Sequence, residues 1–271
     1  MASAILYDAS KCTGCRGCQV ACKNWNERKA EETTNRGSYE NPEDLSPDTW
    51  LKMEFRELGD TANGDMRWIF TRRACMHCAD AGCVKVCPTG ALYIRTDGFV
   101  SIDKGKCTNC GYCVEFCPFE VPRLDVNRLT GLGDRITKCT LCTTQEFNRI
   151  DNGKPPACVQ SCPTGALQFG DRGKLLSAAE ARVAALQSNG APAAMVYGKD
   201  LFDGQGTHVL YVLEDSPDKY GLPVDPKVAG TATAWQDVIK PLGYAAAGIV
   251  GLGLILNIMV ARARIIAEKE G

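Results

Sequence analysis

Histidine is nearly absent from this chain, aromatic side chains make up only 7% of it, and neither sign of charge is in excess. The 31 basic and 32 acidic residues leave a formal charge of −1, which gives no electrostatic case for nucleic acid as a partner. The two histidines offer no catalytic setting. His77 sits between Cys75 and Cys78, where cysteine already supplies the donors, so a solvent or subunit contact is expected for it. His208 lies beside Thr207 in a strand-like run, where a packed or hydrogen-bonded side chain is expected. There is no nucleophile with a positioned base, no carboxylate pair in a recognisable motif and no phosphate-binding glycine loop, so substrate chemistry is expected on another chain. The opening MASAILYDASKC has no basic region followed by a long apolar one, and no signal peptide is expected there.

What the chain does have is cysteine, sixteen of them in four runs. Cys107, Cys110, Cys113 and Cys117, followed by Pro118, have the C-x2-C-x2-C-x3-C-P spacing of a bacterial ferredoxin. In that arrangement the fourth cysteine serves a second cluster, so one run demands a partner. The others are Cys12, Cys15, Cys18 and Cys22; Cys75, Cys78, Cys83 and Cys87; and Cys139, Cys142, Cys158 and Cys162. No thiol is left over, which predicts four complete [4Fe–4S] clusters. Eight disulfides are a poor reading, because cysteines two residues apart cannot staple long loops. The fourth run alone reads as a zinc ribbon. Against that, CPTGAL occurs at both 87–92 and 162–167, giving the second and fourth runs the same ending. A core organised around clusters also explains the low aromatic content, since metal binding is coupled to folding and the apo chain should be largely unfolded.

Cys75 to Cys107 and Cys107 to Cys139 are both 32 residues apart, so spacing leaves open which runs exchange their fourth cysteines. AILYD, ahead of Lys11, reads as a strand feeding the first run, and 23–50 as a polar surface insertion or a docking surface. LKMEFRELG and MRWIFTRR alternate like paired strands. ALYIRTDGFVSID reads as a hairpin with Asp97 and Gly98 at its turn. KLLSAAEARVAALQSNG has helical periodicity and a glycine stop, THVLYVLED reads as a strand, and YGLPVDPKV as an extended linker. Lys11, Lys106 and Lys138 each precede the first cysteine of a run, where a cation would raise a cluster's potential.

From Leu242 to Ala261 the chain has twenty residues without a charge, enough to cross a bilayer core of about 30 Å, with Asn257 its one strongly polar side chain. Gly243, Ala247 and Gly251 form a smooth face suited to packing on another helix. Arg262, Arg264 and Lys269 follow the span, whereas Lys240 precedes it with Asp237 nearby. The positive-inside rule then puts the C-terminus in the cytoplasm and the cysteine-rich part outside. Export without its own signal would require a partner carrying a twin-arginine-type signal.

The four runs in this order, with CMHCADAGCVKVCP, KCTLC, PACVQSCPTGALQFG, GTHVLYVL and one C-terminal span, resemble the iron–sulfur (beta) subunit of membrane-bound formate dehydrogenase. This is one of the four-cluster electron-transfer subunits of complex iron–sulfur molybdoenzymes. The resemblance implies an α+β fold of two ferredoxin-like modules plus a transmembrane helix. It places an outer module at 1–30 and 126–170, an inserted segment and strands at 31–70, and an inner module at 71–125. A helix, strand and linker follow at 171–240, then the span at 241–262 and a short cytoplasmic tail at 263–271. It implies four ligand sets: Cys12, Cys15, Cys18 and Cys162; Cys139, Cys142, Cys158 and Cys22; Cys75, Cys78, Cys83 and Cys117; and Cys107, Cys110, Cys113 and Cys87, the last nearest the membrane. The implied role is non-catalytic electron transfer from a molybdenum or tungsten pterin (alpha) subunit to a cytochrome b (gamma) subunit and quinone at a prokaryotic cell membrane. Rival readings are the equivalent subunit of a hydrogenase or sulfur-compound reductase, and a zinc-stabilised membrane scaffold.

Overall fold

A computed structural model describes residues 2–59, 66–124 and 136–270, with side chains in the last helix as far as Arg262. The chain forms two units, 1–228 and 229–271. Residues 126–135 of the expected outer module, 60–65 of the insertion and the side chains of Arg264 and Lys269 lie outside what is described.

The first unit is built on a repeated plan. Strand β1 (Ser3–Asp8) ends at Asp8, whose carboxylate accepts from the Ser10 amide and caps a single helical turn ending at Lys11. Cys12 follows. Strand β5 (Val100–Ile102) leads to Asp103, which accepts from the Gly105 amide and caps the turn Lys104–Lys106, and Cys107 follows. Each loop passes through a left-handed residue, Arg16 at φ 60° or Gly111 at φ 82°, and opens a helix, α1 (Gly17–Trp25) or α3 (Tyr112–Glu115). Short helices α2 (Gly82–Lys85) and α4 (Ala157–Gln160) carry Cys83 and Cys158. Helix α1 packs on α4, and α2 on α3. After CPTGA the chain enters β4 (Leu92–Ile94) or β6 (Leu167–Asp171). Strand β4 pairs antiparallel with β5, and β6 with β1. The repetition makes the fold two ferredoxin-like units of α+β character.

The remaining elements join them. In the order β6-β1-β8-β7, β8 (Val209–Leu213) runs parallel to β1 and antiparallel to β7 (Met195–Tyr197). Central strands of such a sheet are buried on both faces, as their continuous apolar runs require. Ile5, Tyr7, Val209 and Tyr211 face the cysteine-rich side, while Ala4, Leu6, Leu210 and Val212 pack on α5 (Arg172–Ser188) through Leu175, Ala179 and Leu186. Helix α5 starts two residues earlier than its periodicity suggests because Asp171 caps it, accepting from the Lys174 amide at 3.0 Å. Ahead of β8, the His208 amide donates to the His77 carbonyl at 3.0 Å and the Ile5 amide to the His208 carbonyl at 2.9 Å. One strand therefore ties the CMHC loop to the outer unit.

Strands β2 (Leu51–Leu58) and β3 (Arg67–Ala74) form a ribbon in full antiparallel register. The alternation expected of β2 fails over Leu51–Glu54, which are all buried. The preceding segment covers its outer face: the Lys52 ammonium pairs with Glu40 and donates to the Glu43 carbonyl. This segment is largely exposed, but Leu45 is inserted beside Cys75 and Cys139. It is an external loop with two apolar anchors, Leu45 and, at its end, Trp50.

The second unit has α6 (Gly230–Ala234), a wider helical turn at Trp235–Ile239 and α7 (Lys240–Glu270). Among the described residues, this continuous stretch is the one helix long and apolar enough to cross a membrane, and its apolar window is unburied. Leu242, Ile249, Leu252 and Leu256 are each more than half exposed, an unfavourable surface for water and a suitable one for lipid.

Candidate functional site

All sixteen cysteines are free thiols, and they gather in four groups. Cys12, Cys15 and Cys18 line one cavity with Cys162, closed by Tyr7, Met53 and Leu167. Cys75, Cys78, Cys83 and Cys117 line a second, with Lys138 in its wall. Cys107, Cys110, Cys113 and Cys87 line a third, with Leu124 and Ile136. The three hollows are alike in size and in their apolar lining, which suits one kind of occupant. Cys22 forms the remaining group, with Cys139, Cys158 and Cys142 the neighbouring thiols that add to the effect of burial in raising its pKa. In three dimensions the fourth cysteine of every run crosses to another run.

The groups lie in a row. Cys18 of the first packs in one cluster with Cys22 and Cys158, Cys75 with Cys139, and Cys83 with Cys113. The spatial order is therefore the Cys12, Cys22, Cys75 and Cys107 groups. Among the described residues no three or more Cys, His, Asp or Glu side chains converge tightly enough to hold a single metal ion. Four soft donors spread around an apolar hollow suit a polynuclear cluster instead.

The electrostatics agree with such an occupant. Burial pushes the Cys18, Cys113 and Cys142 thiols up to about 12 and Cys75 up to about 11, with neighbouring thiols adding to the effect in each case. Burial raises Cys22, Cys78 and Cys83 as well. Thiolates are the ligating form, so these sites need positive charge from an occupant. The repeated CPTGAL turn supplies amides: Leu167 N–H points to the Cys162 sulfur at 3.4 Å, and the Thr164 hydroxyl lies 3.7 Å away. Around Cys87 burial opposes ionisation, but the amides of Leu92, Ala91 and Thr89 and the Thr89 hydroxyl outweigh it and lower the thiol's pKa. The Gly14 amide approaches Cys12 Sγ at 3.5 Å. Gly14 has φ +64°, and a Cβ there would lie 2.8 Å from Phe70, so the loop needs glycine.

The three lysines before the runs diverge. Lys11 and Lys106 are exposed and pair with Asp8 and Asp103, whereas Lys138 is 2% exposed. His77 also departs from expectation. It is fully buried at φ 47°, its Nδ1 accepts the Val100 amide at 3.1 Å, and burial, reinforced by Lys138 and Arg72, lowers its pKa. The Val100 amide turns inward to it, so solvent and other subunits are excluded. His208 is packed as expected, with Nδ1 2.8 Å from the Ser3 carbonyl. The residue missed in the sequence is Arg72: it is fully buried beside the Cys18, Cys139 and Cys158 thiols. Its signal was a double arginine in a strand whose alternation should expose one and bury the other.

Two models of the 4Fe-4S dicluster domain match, one over residues 11–91 and one over 66–172. The iron-sulfur subunit of the nitrate-inducible formate dehydrogenase of Escherichia coli (strain K12) is 43% identical over 260 residues, covering 94% of this chain and 83% of that protein. The chain belongs to the formate dehydrogenase iron–sulfur subunit family. The formate dehydrogenase iron-sulfur subunit of Haemophilus influenzae is 40% identical, covering 94% of this chain and 79% of its own length. The Hydrogenase-2 operon protein HybA of Escherichia coli O157:H7 is 37% identical over 188 residues, covering 66% of this chain and 55% of that protein. The two dicluster-domain matches and the family make this an iron–sulfur protein of the [4Fe–4S] type with an electron-transfer role.

Proposed function

We propose that this chain is the non-catalytic electron-transfer subunit of a formate dehydrogenase complex, carrying electrons from a molybdenum or tungsten pterin subunit to a membrane cytochrome b and quinone. In this reading four clusters are held by Cys12, Cys15, Cys18 and Cys162; by Cys22, Cys139, Cys142 and Cys158; by Cys75, Cys78, Cys83 and Cys117; and by Cys87, Cys107, Cys110 and Cys113. The observation that carries it is the row of four thiol groups, each packed against the next. A [4Fe–4S] cluster supplies one-electron redox chemistry. The protein's part is to hold each thiol group on short, cross-packed helices, to exclude water, and to aim amides at sulfur so that the potential is set.

The Cys107 group is assigned to the membrane end and the Cys12 group to the catalytic partner. Helix α7 is the single-pass anchor, with its C-terminus cytoplasmic and the clusters outside. The face of Gly243, Ala247 and Gly251 is the contact with the cytochrome subunit.

A hydrogenase-type circuit is the second reading, favoured by the likeness to the hydrogenase-2 operon protein but over a smaller share of the chain. The test is affinity purification of the tagged chain from anaerobic membranes. A pterin-bearing partner, with clusters reduced by formate, is expected. A nickel–iron partner, with clusters reduced by hydrogen and not by formate, would overturn the formate assignment.

A further inference from the structure

Arg72 is a buried cation with no carboxylate in ion-pair contact among the described residues. Its side chain is fully buried, and none of its three guanidinium nitrogens has an acceptor in good hydrogen-bonding geometry among the described residues. The Cys158 thiol and the Tyr211 hydroxyl approach it, and the Tyr211 hydroxyl also donates to the Arg72 backbone carbonyl, fixing β3 against β8. Across the ribbon its partner is Met53, which lines the Cys12 cavity, so both project from the same face. From there the charge acts on Cys18 of the first group and on Cys22, Cys139 and Cys158 of the second. A charge this deep is costly unless something of opposite sign compensates it. Among the described residues no carboxylate forms an ion pair with it, and the thiols beside it belong to two separate groups.

We propose that Arg72 is a positioning residue that sets the reduction potentials of two neighbouring clusters together, standing between the Cys12 and Cys22 groups as their shared counter-charge. This rests on the ligand sets proposed above. Reduction adds one electron to a cluster whose thiolates already make it negative. A fixed cation with little water to screen it favours the reduced state on both sides. The two clusters are thereby raised as a pair, so an electron entering at the Cys12 end is shared easily with its neighbour. Lys138 occupies a comparable place beside Cys139 and the Cys75 group. The Cys87 and Cys107 group has the exposed Lys106 at its entry instead.

The test uses the intact chain in its membrane complex, with iron content and electron paramagnetic resonance followed during redox titration of Arg72→Met and Arg72→Lys. For Arg72→Met the expected result is full iron content and two of four midpoint potentials moved to more negative values. The shift should be at least tenfold in the reduction equilibrium, about 59 mV for a one-electron couple. Arg72→Lys should keep both near wild type. Four unmoved potentials with iron retained would overturn the proposal while leaving the ligand sets standing. If Arg72→Met fails to load iron, loading by Arg72→Lys supports the charge role, and equal failure of both overturns it. Wild-type protein lacking four clusters would instead remove the reading beneath it.

Discussion

The Lys138 ammonium donates to the Val100 carbonyl at 2.6 Å, deep inside the first unit. A second bond, to the Cys139 carbonyl at 2.9 Å, holds the same cation between two thiol groups. Its charge also stabilises the thiolates of Cys75, Cys83 and Cys117, against burial that raises all three. Lys138→Met should strip the Val100 carbonyl of its partner, at a cost of about 1–3 kcal/mol. It should also lower the potential of the cluster proposed at Cys75. Redox titration checks the second effect, and the rate of cluster bleaching in denaturant checks the first. An unchanged potential with iron retained would show that Lys138 serves packing alone.

Gly98 makes a sharper stability prediction. Its φ is +94°, and an added Cβ would fall 1.8 Å from the His208 ring. Gly98→Ala should cost about 1–3 kcal/mol for the backbone alone, and it should push His208 off the Ser3 carbonyl. Because cluster loss makes unfolding irreversible, the measurement is the anaerobic bleaching rate, expected to rise at least several-fold. A wild-type rate would mean that the turn can relax away from His208.

A pH effect is expected in the loop before β2. Asp44 pairs with Arg73 and Arg123, and although burial works the other way, Arg123, the Leu45 amide and Arg73 hold its carboxyl below the ordinary range. A depressed folded-state value contributes stability that is whole above the ordinary carboxylate pKa of about 4 and is lost as pH falls through the lower folded value. Residues 26–50 should therefore become protease-sensitive on acidification below about pH 4. Asp44→Asn should show the same sensitivity at neutral pH, and equal resistance of the variant at neutral pH would contradict the tether.

Local chemistry was legible in the sequence wherever it acts locally. The Asp97–Gly98 turn, the strand before Cys12, the helix after the fourth run and the apolar span each follow from near-neighbour rules, and each is present. Grouping of the thiols was not legible, because two equal spacings of 32 residues fit several exchanges. Arg72 and His77 escaped for one physical reason: which side of a ribbon or loop turns inward depends on what packs against it. For Arg72 that is β8, 139 residues further on, and for His77 it is Val100 of β5 together with His208 just ahead of β8. Leu45 was hidden in a polar stretch, where two isolated apolar anchors, Leu45 and Trp50, give no period to read.

Removing one ligand at the far end should uncouple the two half-reactions. Cys113→Ser is expected to damage the cluster assigned to the Cys107 group and to abolish formate-driven quinone reduction. Formate oxidation with a soluble dye should largely persist. Equal loss of both activities would count against a membrane-end position for that group.

The most direct measurement is anaerobic reductive titration of the purified chain with parallel iron and zinc analysis. The account predicts about sixteen irons and uptake of about four electrons per chain, with zinc near zero. Protein that carries zinc in its thiol groups, or that holds iron yet takes up no electrons, would contradict it.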